Sequence, residues 1–439
     1  MTSKRYTGNI ITDNPTDPTA NSGANYGVAN GVWSLAEAKT FSAAGKWPIP
    51  ASAPSAPSIG TATAGDASVS VAFTPGATGG LTPTYTATSN PGSITGTGSG
   101  SPVTVSGLTN GTAYTFTVTA TNGAGTSAAS SASNSATPIV PDTALFFGGQ
   151  STAPSYSYQS GIRKRTITSL GNATGFGNLT TGGTLGTKAA ASSSTRAVLA
   201  GGLTTSATLN TIQYITYSSG GGATDFGDLT QARYYATGGG NSTRGIYYGG
   251  RAGPGSTTID YITIASTGNA TNFGNARQYG QDKGATYADT TYFFHAGGEL
   301  GLTGSYTAVR DRLTIASTGN ASSYGSLSQS RKNVQGASNA TYGIVGGGTQ
   351  ASSVTTIDRH TMSSSGTSSS FGSMTENRSS YATASNSTRV LFAGGNENPS
   401  GNNNKIMYVT IASTGNTTDF GTAVAFAFWG GASNAHGGL

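Results

Sequence analysis

Cysteine is absent from the 439 residues, so neither a disulfide framework nor a thiolate metal site is available. Stability has to come from hydrogen-bonded structure and burial. Charge is scarce as well: only 9% of residues are Asp, Glu, Lys or Arg. The formal excess of +6 is dispersed apart from Arg163-Lys164-Arg165, whereas nucleic-acid binders gather their basic residues on one face. That short run reads as the solvated end of a strand, and nucleic acid is not an expected partner. No stretch approaches the roughly 20 apolar residues of a membrane span, so membrane insertion is not expected. The start, Met1-Thr-Ser-Lys-Arg-Tyr-Thr-Gly8, lacks the apolar core of a secretory signal. The expected route out of the cell in which the protein is made is lysis.

What the chain has instead is glycine, 67 residues of it, with 21 Tyr and 15 Phe. Low hydrophobicity with high glycine is one signature of disorder, but here the glycines and aromatics recur at fixed places. Tyr261-Ile-Thr-Ile-Ala-Ser-Thr-Gly-Asn-Ala-Thr-Asn-Phe273-Gly274 returns as Leu313–Gly325 and Val409–Gly421, and with more drift around Phe176, Phe226 and Phe371. The aromatic-Gly step falls at Phe176, Phe226, Phe273, Tyr324, Phe371 and Phe420, a spacing of 47 to 51 residues. Such a period marks one supersecondary unit per repeat and lies in the range of propeller blades.

A second landmark runs out of phase with the first. Apolar runs ending in Gly-Gly occur at Gly148-Gly149, Gly201-Gly202, Gly249-Gly250, Gly297-Gly298, Gly347-Gly348 and Gly394-Gly395, and read as short buried strands with a sharp exit. The last copy stops after a turn-like Ala432-Ser-Asn-Ala-His436, where the next apolar strand should begin, while the first copy has such a strand to spare at Ala144–Gly149. A ring of six blades, one completed by strands from both ends of the array, accounts for both tears and removes exposed edges. The order of an apolar strand to Gly-Gly, a hydrophobic-x-hydrophobic strand, a turn, an aromatic, then a connector with Arg233, Arg277, Arg331 or Arg378 resembles the kelch repeat. That resemblance covers about two-thirds of the chain and implies a six-bladed kelch-like β-propeller over residues 140–439, with Phe or Tyr where the family usually has Trp.

Residues 51–139 carry period-two alternation in Ala67–Thr74, Thr84–Thr88, Val103–Val105 and Ala113–Ala120, separated by Pro and Gly clusters; this argues a small β-sandwich. The stretch Gly107-Leu108-Thr-Asn-Gly-Thr-Ala-Tyr114-Thr-Phe-Thr-Val resembles the fibronectin type III domain, which implies a corner hydrogen bond from Tyr114, a core Leu108, and Phe73 in place of a core Trp. No Arg-Gly-Asp is present, and a spacer role is the expectation. The overall class is therefore all-β.

Residues 1–50 differ again. After a polar, Pro-punctuated arm, Ser34-Leu-Ala-Glu37 forms a capping box, predicting one short helix to about Ala44. Trp33, Leu35, Phe41 and Trp47 gather around it, too much apolar surface for a free tail, and are expected to dock on another protein. The phrase Gly31-Val-Trp-Ser-Leu-Ala-Glu-Ala, followed by Gly45-Lys-Trp-Pro48, resembles N-terminal segments of structural proteins of tailed bacteriophages, particularly those of marine cyanobacteria. That resemblance implies a virion component anchored through residues 1–50 to other virion proteins, present in several copies or as a homo-oligomer.

Catalysis is not expected. Glycosidase chemistry needs two convergent carboxylates, but Asp225, Asp228, Asp260, Asp311, Asp358 and Asp419 mostly recur at equivalent repeat positions, as structural residues do. His295, His360 and His436 sit at unlike positions, so neither a metal site nor a cofactor is called for. Binding remains. The segments after Gly-Gly vary most in length and composition, and in a propeller they emerge on one rim. Tyr156, Tyr158 and Tyr306 suit stacking on sugar rings, and Arg251, Asn396 and Asn402 suit hydroxyls. The expected function is a tail-fibre or adhesion protein binding host surface polysaccharide. The alternative is an architectural capsid, neck or tail decoration that binds only virion proteins.

Overall fold

A computed structural model describes residues 19–20, 27–28 and 51–439, apart from 140, 152–156, 182–188, 219, 254, 279–280, 398–400, 424–425 and 428–429. The predicted helix around Ser34–Ala44 lies outside the described residues. Among those described, the structure is all-β apart from a 3-10 turn at Gly301–Thr303. The chain divides into two compact units, Met1–Pro141 and Asp142–Leu439.

In the first unit, Ser58–Ala64, Ser68–Thr74 and Val103–Ser106 form one antiparallel sheet, and Thr95–Gly98, Thr84–Asn90, Thr115–Asn122 and Gly125–Thr126 form the other. Alternate residues of the strands face inward. Val69, Val71 and Phe73 meet Tyr85, Ala87, Phe116 and Val118 in one core, with the Phe73 and Tyr85 rings 4.8 Å apart. Leu108 is buried, and the Tyr114 hydroxyl accepts the Thr109 N–H at 3.1 Å, the corner bond that the resemblance implied. The free edge of Thr115–Asn122 is covered by an unusual ladder. Ser127, Ser130 and Ser133, three residues apart, each use the hydroxyl to accept an N–H, from Ala120, Val118 and Phe116 respectively. Their own N–H groups donate to the carbonyls of the same three residues. The Ser-rich stretch thus satisfies a strand edge that would otherwise template aggregation.

Among the described residues, the second unit contains six antiparallel sheets of the same design, each with four repeat strands. In the second sheet these are Ala190–Ser192, Arg196–Leu203, Thr208–Thr216 and Thr224–Asp228. The fourth sheet adds a short parallel strand, Gly366–Thr367. In the first sheet, Thr143–Phe147 pairs on one side with Gly161–Thr166 and on the other with Gly430–Ser433, from the far end of the chain. Leu145, Phe146 and Phe147 of that strand are fully buried.

The aromatic-Gly step is a β-bulge. In each sheet the aromatic is the extra residue of the outer strand, skipped by the register, as at Ile259↔Gly274 followed by Asp260↔Asn272. Five of the six aromatics accept, at the backbone carbonyl, an N–H from the turn of the next sheet. The acceptor–donor pairs are Phe176–Gly221, Phe226–Gly268, Phe273–Gly319, Phe371–Gly415 and, from the sixth sheet to the first, Phe420–Gly171. The glycine after each aromatic lies so close to that turn that a Cβ would fall within 2.4 Å of a backbone oxygen in all six cases. Both halves of the recurring phrase therefore serve one contact between neighbouring sheets. The Gly-Gly pairs have positive φ at all twelve positions, from 48° to 122°, a conformation that other residues adopt only with strain.

Connector arginines Arg233, Arg331 and Arg378 are fully buried. Each links two sheets: the Arg331 carbonyl accepts the Gly298 N–H of one, while its guanidinium donates to the Gly347 carbonyl and to Asp358 of the next. Arg277 does not occupy this position. Gln281 does, accepting the Gly250 N–H and donating to the Gly297 carbonyl. One extra residue before it shifts the pattern. Arg277, partly exposed, instead supplies the counter-charge to the buried Asp311 at 3.0 Å.

Candidate functional site

Two residues beyond each connector position the backbone turns left-handed on a residue other than glycine: Tyr235, Lys283, Asn333 and Ser380 have φ of 53° to 56°. Such strain persists only where surroundings enforce it. Here the residue before each is bridged to the segment after a Gly-Gly pair, Tyr234 to Arg251, Asp282 to Glu299, Lys332 to Thr349 and Ser379 to Asn396. The connectors and the variable segments thereby meet on one side of the sheets.

On the third, fourth and fifth sheets that meeting produces a cluster of charge and aromatic rings. Glu299 takes hydrogen bonds from Lys283 at 2.6 Å, Lys332 at 3.0 Å and Arg251 at 3.1 Å. Arg251 also pairs with Asp282. Lys283 lies over the Tyr235 ring at 5.0 Å and Lys332 over the Tyr306 ring at 4.8 Å. Tyr234 packs beside Tyr235 at 4.9 Å. Burial pushes the Tyr235 hydroxyl up, Tyr234 adds to it, Arg251 partly opposes it, and Asp282 and Tyr158 add smaller electrostatic contributions. Burial also raises the Asp282 carboxyl, only partly offset by Arg251. For Glu299 burial acts in the same direction, but Lys283 and Lys332 outweigh it and hold the group below its ordinary value.

The expected site residues divide accordingly. Arg251 and Tyr306 belong to this cluster and Tyr158 lies near it, half-buried. Arg251 is engaged by two carboxylates, not free for hydroxyls alone. Asn396 is exposed and pairs with Asn402 through the backbone in a separate two-residue ladder, Asn396–Glu397 with Gly401–Asn402. Tyr156, and the docking residues Trp33, Leu35, Phe41 and Trp47, lie outside the described residues. Sequence reasoning missed Tyr234, Tyr235, Lys283, Glu299 and Lys332. Glu299 directly follows a Gly-Gly pair, whereas the other four stand just after a connector position. Attention to the residues flanking those two landmarks would have found all five.

A further cavity of about 70 Å³, partly open to solvent, is lined by one edge strand of each of the six sheets. Its hydroxyls point along the wall to the neighbouring strand: Ser192 donates to the Ser433 carbonyl, Ser433 to Ser385, Ser385 to Ser338, and Ser338 to Ala288. His436 reaches into it, bonded to the Ser192 carbonyl at 3.0 Å. With its hydroxyls committed to the wall, this cavity offers few free donors.

Asp260 and Asp358, two of the recurring aspartates, are locked by Arg233 and Arg331 at 3.0 and 2.8 Å, and also accept from Thr230 and Ser328. His295 and His360 are buried, and burial drives both down to about 3. His295 stacks on Tyr248 at 4.4 Å, and the His360 ring contacts the Tyr287 hydroxyl at 3.0 Å.

Comparison with curated proteins finds no match to the chain. Residues 52–136 match the fibronectin type III domain family, which agrees with the sandwich, its Tyr114 corner and its Leu108 core.

Proposed function

We propose that residues 142–439 form a six-bladed, kelch-like β-propeller and that the protein is a non-catalytic bacteriophage virion appendage, recognising host surface polysaccharide through the rim of variable segments. The propeller reading is supported by six sheets of one design, the pairing of Thr143–Phe147 with Gly430–Ser433, and the repetition of one inter-sheet hydrogen bond at five of the six junctions, including that from the sixth sheet to the first. In this reading the sandwich is a spacer. Residues 1–50 attach the protein to other virion proteins, and many copies act together. The protein is made in the host cytoplasm, released by lysis, and needs no cofactor.

The observation that carries the recognition reading is the gathering of Tyr235, Tyr306 and three cations where the variable segments meet the connectors. Aromatic faces stack on sugar rings and cations bond to their oxygens, and weak single sites gain from multivalency. The test is binding of multimerised full-length protein to host cells and to purified envelope polysaccharide. Tyr306→Ala with Tyr158→Ala is expected to lower binding while leaving the melting temperature almost unchanged, since partly exposed side chains outside the core contribute little to stability. Absence of binding by the multimerised wild type would reject recognition and leave the architectural role.

A further inference from the structure

Within the same cluster, what a ligand meets is not what the charge tally suggests. Three cations face two carboxylates, an excess of one positive charge. Their exposures differ by sign: the side chains of Arg251, Lys283 and Lys332 are 25, 15 and 20% accessible, whereas those of Asp282 and Glu299 are 0 and 8% accessible. The carboxylates lie inward and hold the cations from beneath, so the accessible charge of the cluster is positive. Each lysine ammonium has three donors, and the hydrogen bond to Glu299 uses one on Lys283 and one on Lys332. The remaining N–H groups are available to an acceptor arriving from outside. Tyr235 and Tyr306 place an aromatic face against each lysine. A cation already fixed by a buried carboxylate does not have to be ordered when a ligand binds, which removes part of the entropic cost.

We propose that this cluster binds an anionic sugar, its ring against Tyr235 or Tyr306 and its carboxylate or sulfate on Lys283 and Lys332. The inference rests on the loop-side recognition reading and sharpens it: the ligand class is acidic polysaccharide, not neutral glycan. Glu299 is a positioning residue that holds the cations and does not touch the ligand.

The test uses full-length protein with four immobilised polymers: a polyuronate, the same polyuronate with its carboxyls reduced to alcohols, dextran sulfate and neutral dextran. Binding to polyuronate or dextran sulfate is expected, with the stronger of the two identifying the anion, and none to the two neutral polymers. Lys283→Gln with Lys332→Gln is expected to weaken binding about tenfold or more, the scale of two lost charge-assisted hydrogen bonds. Lys283→Arg with Lys332→Arg, which keeps the charge paired with Glu299, is expected to retain most binding and so guards against misfolding of the Gln variant. Lys164→Gln, on a different part of the unit, is expected to change nothing. Equal binding to neutral and acidic polymers, abolished by Tyr306→Ala, would overturn the anionic class while leaving glycan recognition standing. An equal loss from Lys164→Gln would mark diffuse charge attraction and overturn the site. No binding to any polymer or to host envelope would overturn both readings together.

Discussion

The two units solve the same problem with opposite chemistry. Between residues 51 and 141, Asp66 is the sole charged side chain, and the sandwich holds its free edge with serine hydroxyls and backbone alone. The repeat unit instead buries whole ion pairs: Arg233 with Asp260 and Arg331 with Asp358 have side chains no more than 1% accessible. A small sandwich has one core, and alternation along each strand specifies it. Six similar sheets must also be told where their neighbours sit, and a guanidinium that reaches the Gly-Gly carbonyl of the next sheet supplies that instruction with a fixed geometry. The difference teaches that charge in this chain is spent on the junctions between repeats, where packing of near-identical surfaces alone leaves alternative registers.

The comparison breaks most completely if the repeat unit loses the strand joining its two ends. Deleting 142–149 removes Leu145, Phe146 and Phe147 and uncovers both Gly161–Thr166 and Gly430–Ser433. Loss of the repeat unit's cooperative unfolding transition, with aggregation, is expected, while circular dichroism and a protease-resistant fragment show the sandwich intact. Unchanged solubility and melting would refute the proposed closed ring.

Acid should separate the units next. All three histidines lie in the repeat unit. An unfolded histidine binds its proton below about 6.5, but folded His295 and His360 refuse it until about 3. The unfolded state therefore carries more protons in that window. Their contribution is complete above 6.5 and is lost as the pH falls toward 3, at about 1.4 kcal/mol per pH unit for each histidine. Calorimetry from pH 7 to 4 is expected to show the repeat-unit transition falling and the sandwich transition holding. His295→Phe with His360→Phe should flatten the difference.

A single buried lock gives a smaller effect. Arg331→Met leaves Asp358 buried without its cation and should cost the repeat unit about 3–5 kcal/mol. Adding Asp358→Asn should restore part of that loss, and a double-mutant cycle by denaturant titration measures the coupling. No recovery would mean that Arg331 acts only through the carbonyls of Val345, Gly347 and Thr356. Smallest is the serine ladder. Ser130→Ala removes the hydroxyl that accepts the Val118 N–H and should destabilise the sandwich alone by about 1–2 kcal/mol, read from the sandwich transition with the repeat-unit transition as internal control.

How much of this was legible depended on whether a residue's role is local. Alternation in Ser68–Thr74 and Thr115–Asn122 gave the sandwich strands, and the positions of Tyr114 and Leu108 followed from a short motif. The Gly-Gly and aromatic-Gly landmarks marked each repeat because positive φ and a bulge are demands that a few residues impose on their own backbone. The site was only partly visible. Tyr306 and Arg251 stand in segments whose variation could be read, but Lys283 and Lys332 come from connectors. Their meeting with Glu299 spans 16 and 33 residues along the chain.

By itself, the sequence determined the strand pattern, the repeat period, the sandwich and the absence of disulfides, since each follows from side-chain periodicity, local backbone preference or composition. Tertiary structure alone decided that the glycine after each aromatic abuts the turn of a neighbouring sheet, that Gln281 rather than Arg277 takes the connector place, and that cations gather over Tyr235 and Tyr306. Those outcomes depend on which sheets are neighbours in space, and a hydrogen bond or ion pair between distant segments leaves no periodic trace in either one.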